Sequence, residues 1–326
     1  MHSPMQTVLA GDIGGTKTLL ALAHWDAGQL RIEREARFTT RDYPALTPMV
    51  REFLAGAAPH AACFGLAGPI SSRCIQLTNA AFWIDADEIA HDCGIAQVRL
   101  INDFAAIGYG LDALAASELE ILQSGAIRPQ APRALLGAGT GLGQAILVWQ
   151  HDHYEVLSSE GGHVDFAPVD EAQIALWRAL SAQYDHVSFE RLLSGQGLHD
   201  IFRHLAVTGY PTPALLAALH GGGDPAAIIC EFGLSHRDPL AAAALELFAN
   251  IYGQQAGNLA LTTLAEGGIY IAGGIAPKLI RQLKAGGFME AFRAKGRYRE
   301  WLSSLQVTVV MNPKVGLLGA ALAAGR

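Results

Sequence analysis

Gly11–Thr18 reads GDIGGTKT and follows the apolar run Thr7–Ala10, TVLA. It falls one residue short of the phosphate-loop pattern G-x-x-x-x-G-K-[ST], because Thr16 stands where that pattern has its last glycine. The residues that follow decide the matter. A phosphate loop of that kind opens an amphipathic helix whose N-terminus faces the phosphates. Here Leu19–Trp25 is a short apolar run ending at the turn signal Asp26-Ala27-Gly28, which reads as a strand. The glycines therefore form the bend of a strand-turn-strand hairpin.

Working outward, LRIEREARF (Leu30–Phe38) reads as a third strand, Tyr43–Ala57 as a helix and HAACFGLAG (His60–Gly68) as a buried strand with a loop through Gly68-Pro69. VRLIND (Val98–Asp103) is a strand running into the helix FAAIGYGLDAL (Phe104–Leu114). Beyond the Pro-rich surface connection RPQAPR (Arg128–Arg133), ALLGAGTGLGQAILVW (Ala134–Trp149) repeats the opening: apolar strand, glycine-rich bend, apolar strand, polar turn at His151-Asp152-His153. Two similar domains are expected, each offering one loop to the same ligand. The second half reads as helices over Glu171–Gln183, Phe189–His204, Pro213–His220 and Pro239–Leu264. GGIYIAGGIAPK (Gly267–Lys278) then gives a buried strand opening a helix near Pro277. A last strand, LQVTVVM (Leu305–Met311), precedes a helix over Val315–Ala324.

The chain has 326 residues, 51% hydrophobic and only 16% charged, enough for a large core and for two domains. A net charge of -7 argues against a nucleic-acid surface, which needs clustered Lys and Arg. Cys63, Cys74, Cys93 and Cys230 are spaced too irregularly for a metal site or a disulfide framework and read as reduced, buried thiols of a cytoplasmic protein. Asp12 interrupts the first hydrophobic run, so a secretory signal is not expected, and no apolar stretch is long enough to predict a membrane span.

Backbone amides gathered at a glycine bend form a concave anion site, since no side chain blocks approach. Gly14, Gly15 and Thr16 would supply such donors, with Asp12 directing a carboxylate toward Mg²⁺ through water. The second bend, Gly137–Gly143 with Thr140, strengthens that reading over an ordinary turn. Phosphoryl transfer to an alcohol further needs a carboxylate beside the acceptor hydroxyl. Asp103, at the end of a strand and the start of a helix, is the candidate; the alternative is that Asn102 or Asp103 only caps the helix. SSEGGHVDF (Ser158–Phe166) concentrates Glu160, His163 and Asp165, polar groups suited to vicinal hydroxyls. They lack further ligands at metal spacing. Glu190, placed at a helix start, is explained by dipole electrostatics without a function.

Taken together, these motifs resemble the bacterial ATP-dependent glucokinases that carry E-G-G-H without a zinc finger, within the hexokinase, actin and Hsp70 superfamily. LAGDIGGTKTLLAL resembles the first phosphate motif, INDFAAIGYG the catalytic strand-helix, LGAGTGLG the second phosphate motif, SSEGGHVDFAP the sugar loop and IAGGIAPK the adenosine motif. HVSFERLLSGQGL and NPKVGLLGAA extend the match over nearly the whole chain. The resemblance implies an α/β fold of two actin-like (ribonuclease H-like) domains around a central cleft. The small domain would be 1–112 plus 313–326 and the large one 113–312. It implies transfer of the γ-phosphoryl group of ATP to the 6-hydroxyl of glucose, with Mg²⁺, in a homodimer. Asp103 would be the base, and Asn102, Asp103, Glu160, His163 and Glu190 would bind the sugar. Gly11, Asp12, Ile13, Gly14, Gly15, Thr16, Gly139, Thr140, Gly141, Gly273 and Gly274 would bind the nucleotide. Another hexose or an N-acetylhexosamine as acceptor, or a non-catalytic sensor on the same fold, are the alternatives. Three departures stand out. Lys17 occupies a position where relatives carry Asn, and Phe82 one where Trp is expected. The scattered cysteines cannot build the zinc site of the related repressor branch, and no helix-turn-helix stretch precedes Thr7.

Overall fold

The computed structural model describes residues 7–26, 29–77 and 82–326. Ala27 and Gly28 of the expected turn, and residues 78–81, fall outside them. The chain forms two compact units: residues 1–118 with 153–158 and 312–326, and residues 119–152 with 159–311. Relative to the expected small domain, 1–112 plus 313–326, the first unit runs on to Glu118, begins its last segment at Asn312 and takes in His153–Ser158.

In the first unit, β1 (Val8–Ile13), β2 (Lys17–Asp26) and β3 (Gln29–Thr39) form an antiparallel meander. The helix α1 (Leu46–Leu54) follows, then β4 (Ala61–Leu66), which pairs parallel to β1. A two-stranded ribbon, β5 (Cys74–Gln76) and β6 (Trp83–Asp85), leads to α2 (Ala86–Cys93) and β7 (Gln97–Asn102). The sheet order is β3-β2-β1-β4-β7. Strand alternation sends Leu9 and Ile13 to one face, against Leu46, Met49 and Val50 of α1 and Ile89 of α2. Phe82 joins that core, while Trp83 is half exposed, so the position expected to hold Trp is filled by a buried Phe. The other face carries Val8, Ala10, Ala21 and Cys63, covered by α3 (Asp103–Gly110) and by the chain's last helix, Val315–Ala324. Burial drives the Cys63 thiol up to about 12, leaving it inert. All four cysteines are unpaired, but Cys74 is exposed rather than buried, because the small ribbon leaves it facing solvent.

The second unit opens with β8 (Leu119–Gln123), followed by β9 (Arg133–Ala138) and β10 (Leu142–Gln150); the next strand, β11 (His153–Ser159), belongs to the first unit as far as Ser158. The helices α4 (Glu171–Ser181), α5 (Gly195–Leu205), α6 (Pro213–His220), α7 (Pro225–Leu234) and α8 (Pro239–Thr263) come next. After them come β12 (Ile269–Ala272), α9 (Ile280–Lys284), α10 (Gly287–Arg293), α11 (Arg299–Ser304) and β13 (Val307–Val310). The last helix, Val315–Ala324, is α12. Strands are ordered β11-β10-β9-β12-β13-β8. The first unit's plan recurs: an antiparallel glycine hairpin, β9-β10, whose first strand pairs parallel to a later one, β12. Two expectations fail locally. The helix expected over Phe189–His204 begins only at Gly195, where the Ser194 side chain caps it. After β12 the chain makes turns through Leu279, so the helix expected near Pro277 starts at Ile280. Among the described residues no helix is long and apolar enough to cross a membrane.

Candidate active site

The Gly11–Thr18 stretch is the expected hairpin, with no helix following it. Gly14 N donates to Lys17 O (2.9 Å), which closes the turn. Its outer edge is held by Thr40, a fully buried residue missed in the sequence. The Thr40 hydroxyl donates to Gly14 O (2.7 Å) and lies 3.0 Å from the Thr18 hydroxyl, while Thr40 N donates to Thr16 O (3.0 Å). The carbonyls of the turn are thus anchored to the protein, and Gly15, Thr16 and Lys17 stand exposed at its tip. Gly11 is fixed for a different reason: a Cβ there would lie 2.5 Å from Phe64 Cδ1. Alternation along β1 places Asp12 on the same face as Ala10, toward the start of α12, where a Cβ on Gly316 would be 3.9 Å from its carboxyl carbon. Burial holds the Asp12 carboxyl above its ordinary value. A desolvated carboxylate with oxygen donors only suits a hard cation such as Mg²⁺, which takes one or two carboxylates and completes its shell with phosphates and water.

Both halves of the Asn-Asp pair have a place. Asn102 is the N-cap of α3: its Oδ1 accepts Phe104 N (2.9 Å) and Ala105 N (3.2 Å), and its Nδ2 donates to Gly68 O (3.1 Å). One Nδ2 hydrogen is left over for a hydroxyl. Capping is therefore Asn102's work, and Asp103 occupies the first helical position, where amide dipoles favour an acidic side chain. Asp103 Oδ1 accepts from Phe104 N (2.9 Å). Gly65 of β4 lets α3 pack closely, since a Cβ there would be 3.0 Å from Ala106 Cβ.

In the second unit the bend between β9 and β10 is closed by Gly139 N donating to Gly141 O (2.8 Å), with Thr140 exposed at its tip. Its root is tied down twice. Ala138 N donates to the hydroxyl of Tyr252, a fully buried side chain of α8 (3.0 Å), and Ala138 O accepts Ile275 N (3.2 Å). Gly273 has φ +81, and a Cβ on it would meet Ala138 O at 2.5 Å, so packing alone demands glycine there. Gly274 differs: a Cβ on it would meet nothing within 4 Å.

Glu160, His163 and Glu190 come together beside this bend. His163 Nε2 lies 3.8 Å from Glu160 Oε2 and His163 Nδ1 lies 3.8 Å from Glu190 Oε1. A short turn through Gly161 and Gly162 makes this possible, with His163 N donating to Glu160 O (2.9 Å) and Gly161 N to Ser159 Oγ (3.0 Å). Glu190 sits in a turn rather than at a helix start; its N donates to Gly162 O (2.9 Å) and its Oε2 accepts Leu142 N (2.9 Å). Asp165 points elsewhere, pairing with His186 at 3.0 Å. Three polar side chains offering acceptors and donors within a few ångströms can grip adjacent hydroxyls. No group of three or more His, Cys, Asp or Glu among the described residues is arranged to hold a metal ion by itself.

A family model described as Glucokinase matches residues 9–326. The glucokinase of Nostoc punctiforme is 41% identical over 340 residues, covering 99% of this chain and 100% of that relative. A crystal structure of a glucokinase from an Antarctic psychrotroph is similar with a TM-score of 0.85 at 31% identity, covering 98% of this chain and 99% of that one. A ROK family glucokinase from Streptomyces griseus, solved in complex with glucose and AMPPNP, reaches 0.67 at 22% identity, covering 98% and 99%.

Proposed function

Because this chain belongs to the glucokinase family, we propose that it transfers the γ-phosphoryl group of ATP to the 6-hydroxyl of glucose, giving glucose 6-phosphate and ADP. Its architecture is the two-domain actin-like fold of those sugar kinases. The observation that carries the reading is the close set Glu160, His163 and Glu190 beside the second glycine bend. That set joins hydroxyl recognition to an anion-binding turn within one unit.

The residues divide the work. Gly15 and Thr16 of the first bend and Thr140 and Gly141 of the second present amides to the phosphate chain, where fixed dipoles offset the charge of the transferring group without reorganising; the Gly14 amide expected among them, like that of Gly139, is spent closing its turn. Gly273 and Gly274 leave space for the nucleoside. Glu160, His163 and Glu190 bind ring hydroxyls, and the remaining Asn102 hydrogen serves another. Asp103 orients the 6-hydroxyl and takes its proton as the new P–O bond forms. Asp12 would hold Mg²⁺ through water, and the cation supplies charge neutralisation on the phosphate oxygens. The reading includes a homodimer and a cytoplasmic setting, the latter supported by four unpaired cysteines.

Coupled measurement of ADP release, with and without sugar, tests it. Glucose-dependent turnover is expected, with glucose preferred over mannose, fructose and N-acetylglucosamine. Binding of glucose and nucleotide without ADP release would make the protein a sensor. Asp103→Asn should lower kcat by about 10²–10⁴ while glucose still binds; near-normal turnover in that variant would remove Asp103 from the chemistry.

A further inference from the structure

Glu190 faces two directions at once. Its Oε2 accepts Leu142 N (2.9 Å), the residue that leaves the second glycine bend, and its Oε1 faces His163 Nδ1 at 3.8 Å. Its side chain is 30% exposed, against 55% for Glu160 and 57% for His163, so it lies deepest of the three. Two more bonds bind its segment to the same surroundings. Glu190 N donates to Gly162 O (2.9 Å) in the sugar loop, and Gly195 N, at the start of α5, donates to Gly139 O (3.0 Å) in the bend. A Cβ on Gly141 would collide with the Glu190 carboxylate, so the bend has room for that carboxylate only because it carries glycine. A group serving a sugar hydroxyl alone has no need of a bond to the backbone of the donor hairpin.

We propose that Glu190 is the positioning residue that couples the two substrates. The proposal rests on the kinase reading above. A hydroxyl donated to Oε1 fixes the carboxylate, and a fixed carboxylate holds Leu142 N, narrowing the bend to the conformation that presents its amides. The nucleotide then binds a bend already ordered, so less conformational freedom is lost on binding. Linkage requires the reverse effect to be equal: nucleotide tightens hexose by the same factor.

Calorimetric titration of AMPPNP with Mg²⁺, in the absence and in the presence of saturating glucose, reads the coupling as a ratio of Kd values. In the unmodified protein the ratio should be on the order of tenfold, toward the lower end of the range for such couplings. Glu190→Ala should bring it to about one. Glu190→Gln keeps an oxygen for Leu142 N and should restore most of it. Glu160→Ala should demand more glucose yet keep the ratio at saturation. Should Glu190→Ala fail to fold or to bind glucose, Gly141→Ala decides, because the added methyl expels the carboxylate from Leu142 N without removing it; it too should give about one. A purely structural role lowers both affinities and leaves the ratio intact. An unchanged ratio in Gly141→Ala or Glu190→Ala, or a ratio of one in the unmodified protein, overturns the proposal. Failure of the kinase reading looks different: it is absence of glucose-dependent ADP release, whatever the ratio.

Discussion

Asp12 is a carboxylate kept where burial works against its charge. Its folded-state value is raised, so the native protein binds protons more readily than the unfolded chain. Stability conferred by the protonated form is present below the ordinary value of 3.8 and is lost as pH rises through the higher folded value. At neutral pH the carboxylate is then a net cost in the protein without ligands. Asp12→Asn should raise Tm at neutral pH, with the gain vanishing below about pH 4, and should lower turnover. Thermal melts across that range check it: an equal or lower Tm at pH 7 counts against a strained charge. At this scale much was legible. Asp12 could be picked out because it interrupts an apolar strand just before a glycine bend, and Asp103 because it stands where an apolar strand gives way to a helix. Thr40 could not, since its bonds to Gly14 and Thr16 close through the fold and leave no local pattern.

At the scale of elements, small residues set the contacts. Gly110 of α3 and Gly319 of α12 let these helices approach until a Cβ on Gly319 would strike Ala106 O and Gly110 N. Those are backbone atoms and cannot swing aside. Gly319→Ala should therefore destabilise the protein by about 1–3 kcal/mol, read as a lower urea midpoint; an unchanged midpoint would show that the helices can separate at little cost. The same scale explains where the sequence misled. In SFERLLSGQGL the apolar spacing runs unbroken through a turn and into α5, so periodicity alone cannot reveal that the helix starts at Gly195. The Ser194 cap was the usable signal. α7 carries little signal because PAAIICEFGL is apolar but for Glu231 and lacks a clear period. Its marker was Asp224-Pro225, a cap followed by proline at the first helical position, the arrangement repeated at Thr212-Pro213 and Asp238-Pro239.

Over the whole molecule, the recurrence of a glycine hairpin inside each sheet made the two-unit plan readable, because both hairpins are local in sequence. The return of residues 313–326 to the first unit is implied only by the family resemblance, since no local pattern in the sequence signals it. α12 lays Leu317, Ala320 and Ala321 on the strand face of Val8, Ala10 and Cys63, and Arg99 donates to Ala323 O (2.8 Å) at its end. A chain ending at Met311 should lose the fold of residues 7–118. Limited proteolysis checks this: cleavage concentrated in that stretch is expected, whereas full resistance there would mean α12 is dispensable.

A ribosome delivers this protein in an awkward order. The first sheet emerges early, yet α12, which seals part of one of its oily faces, follows after about two hundred further residues, roughly 10–40 s later at bacterial elongation rates. Throughout that interval Val8, Ala10, Ala21 and Cys63 have only α3 to cover part of them. The amino-terminal sheet thus completes its packing only once α12 has been made, whatever the speed of its own collapse.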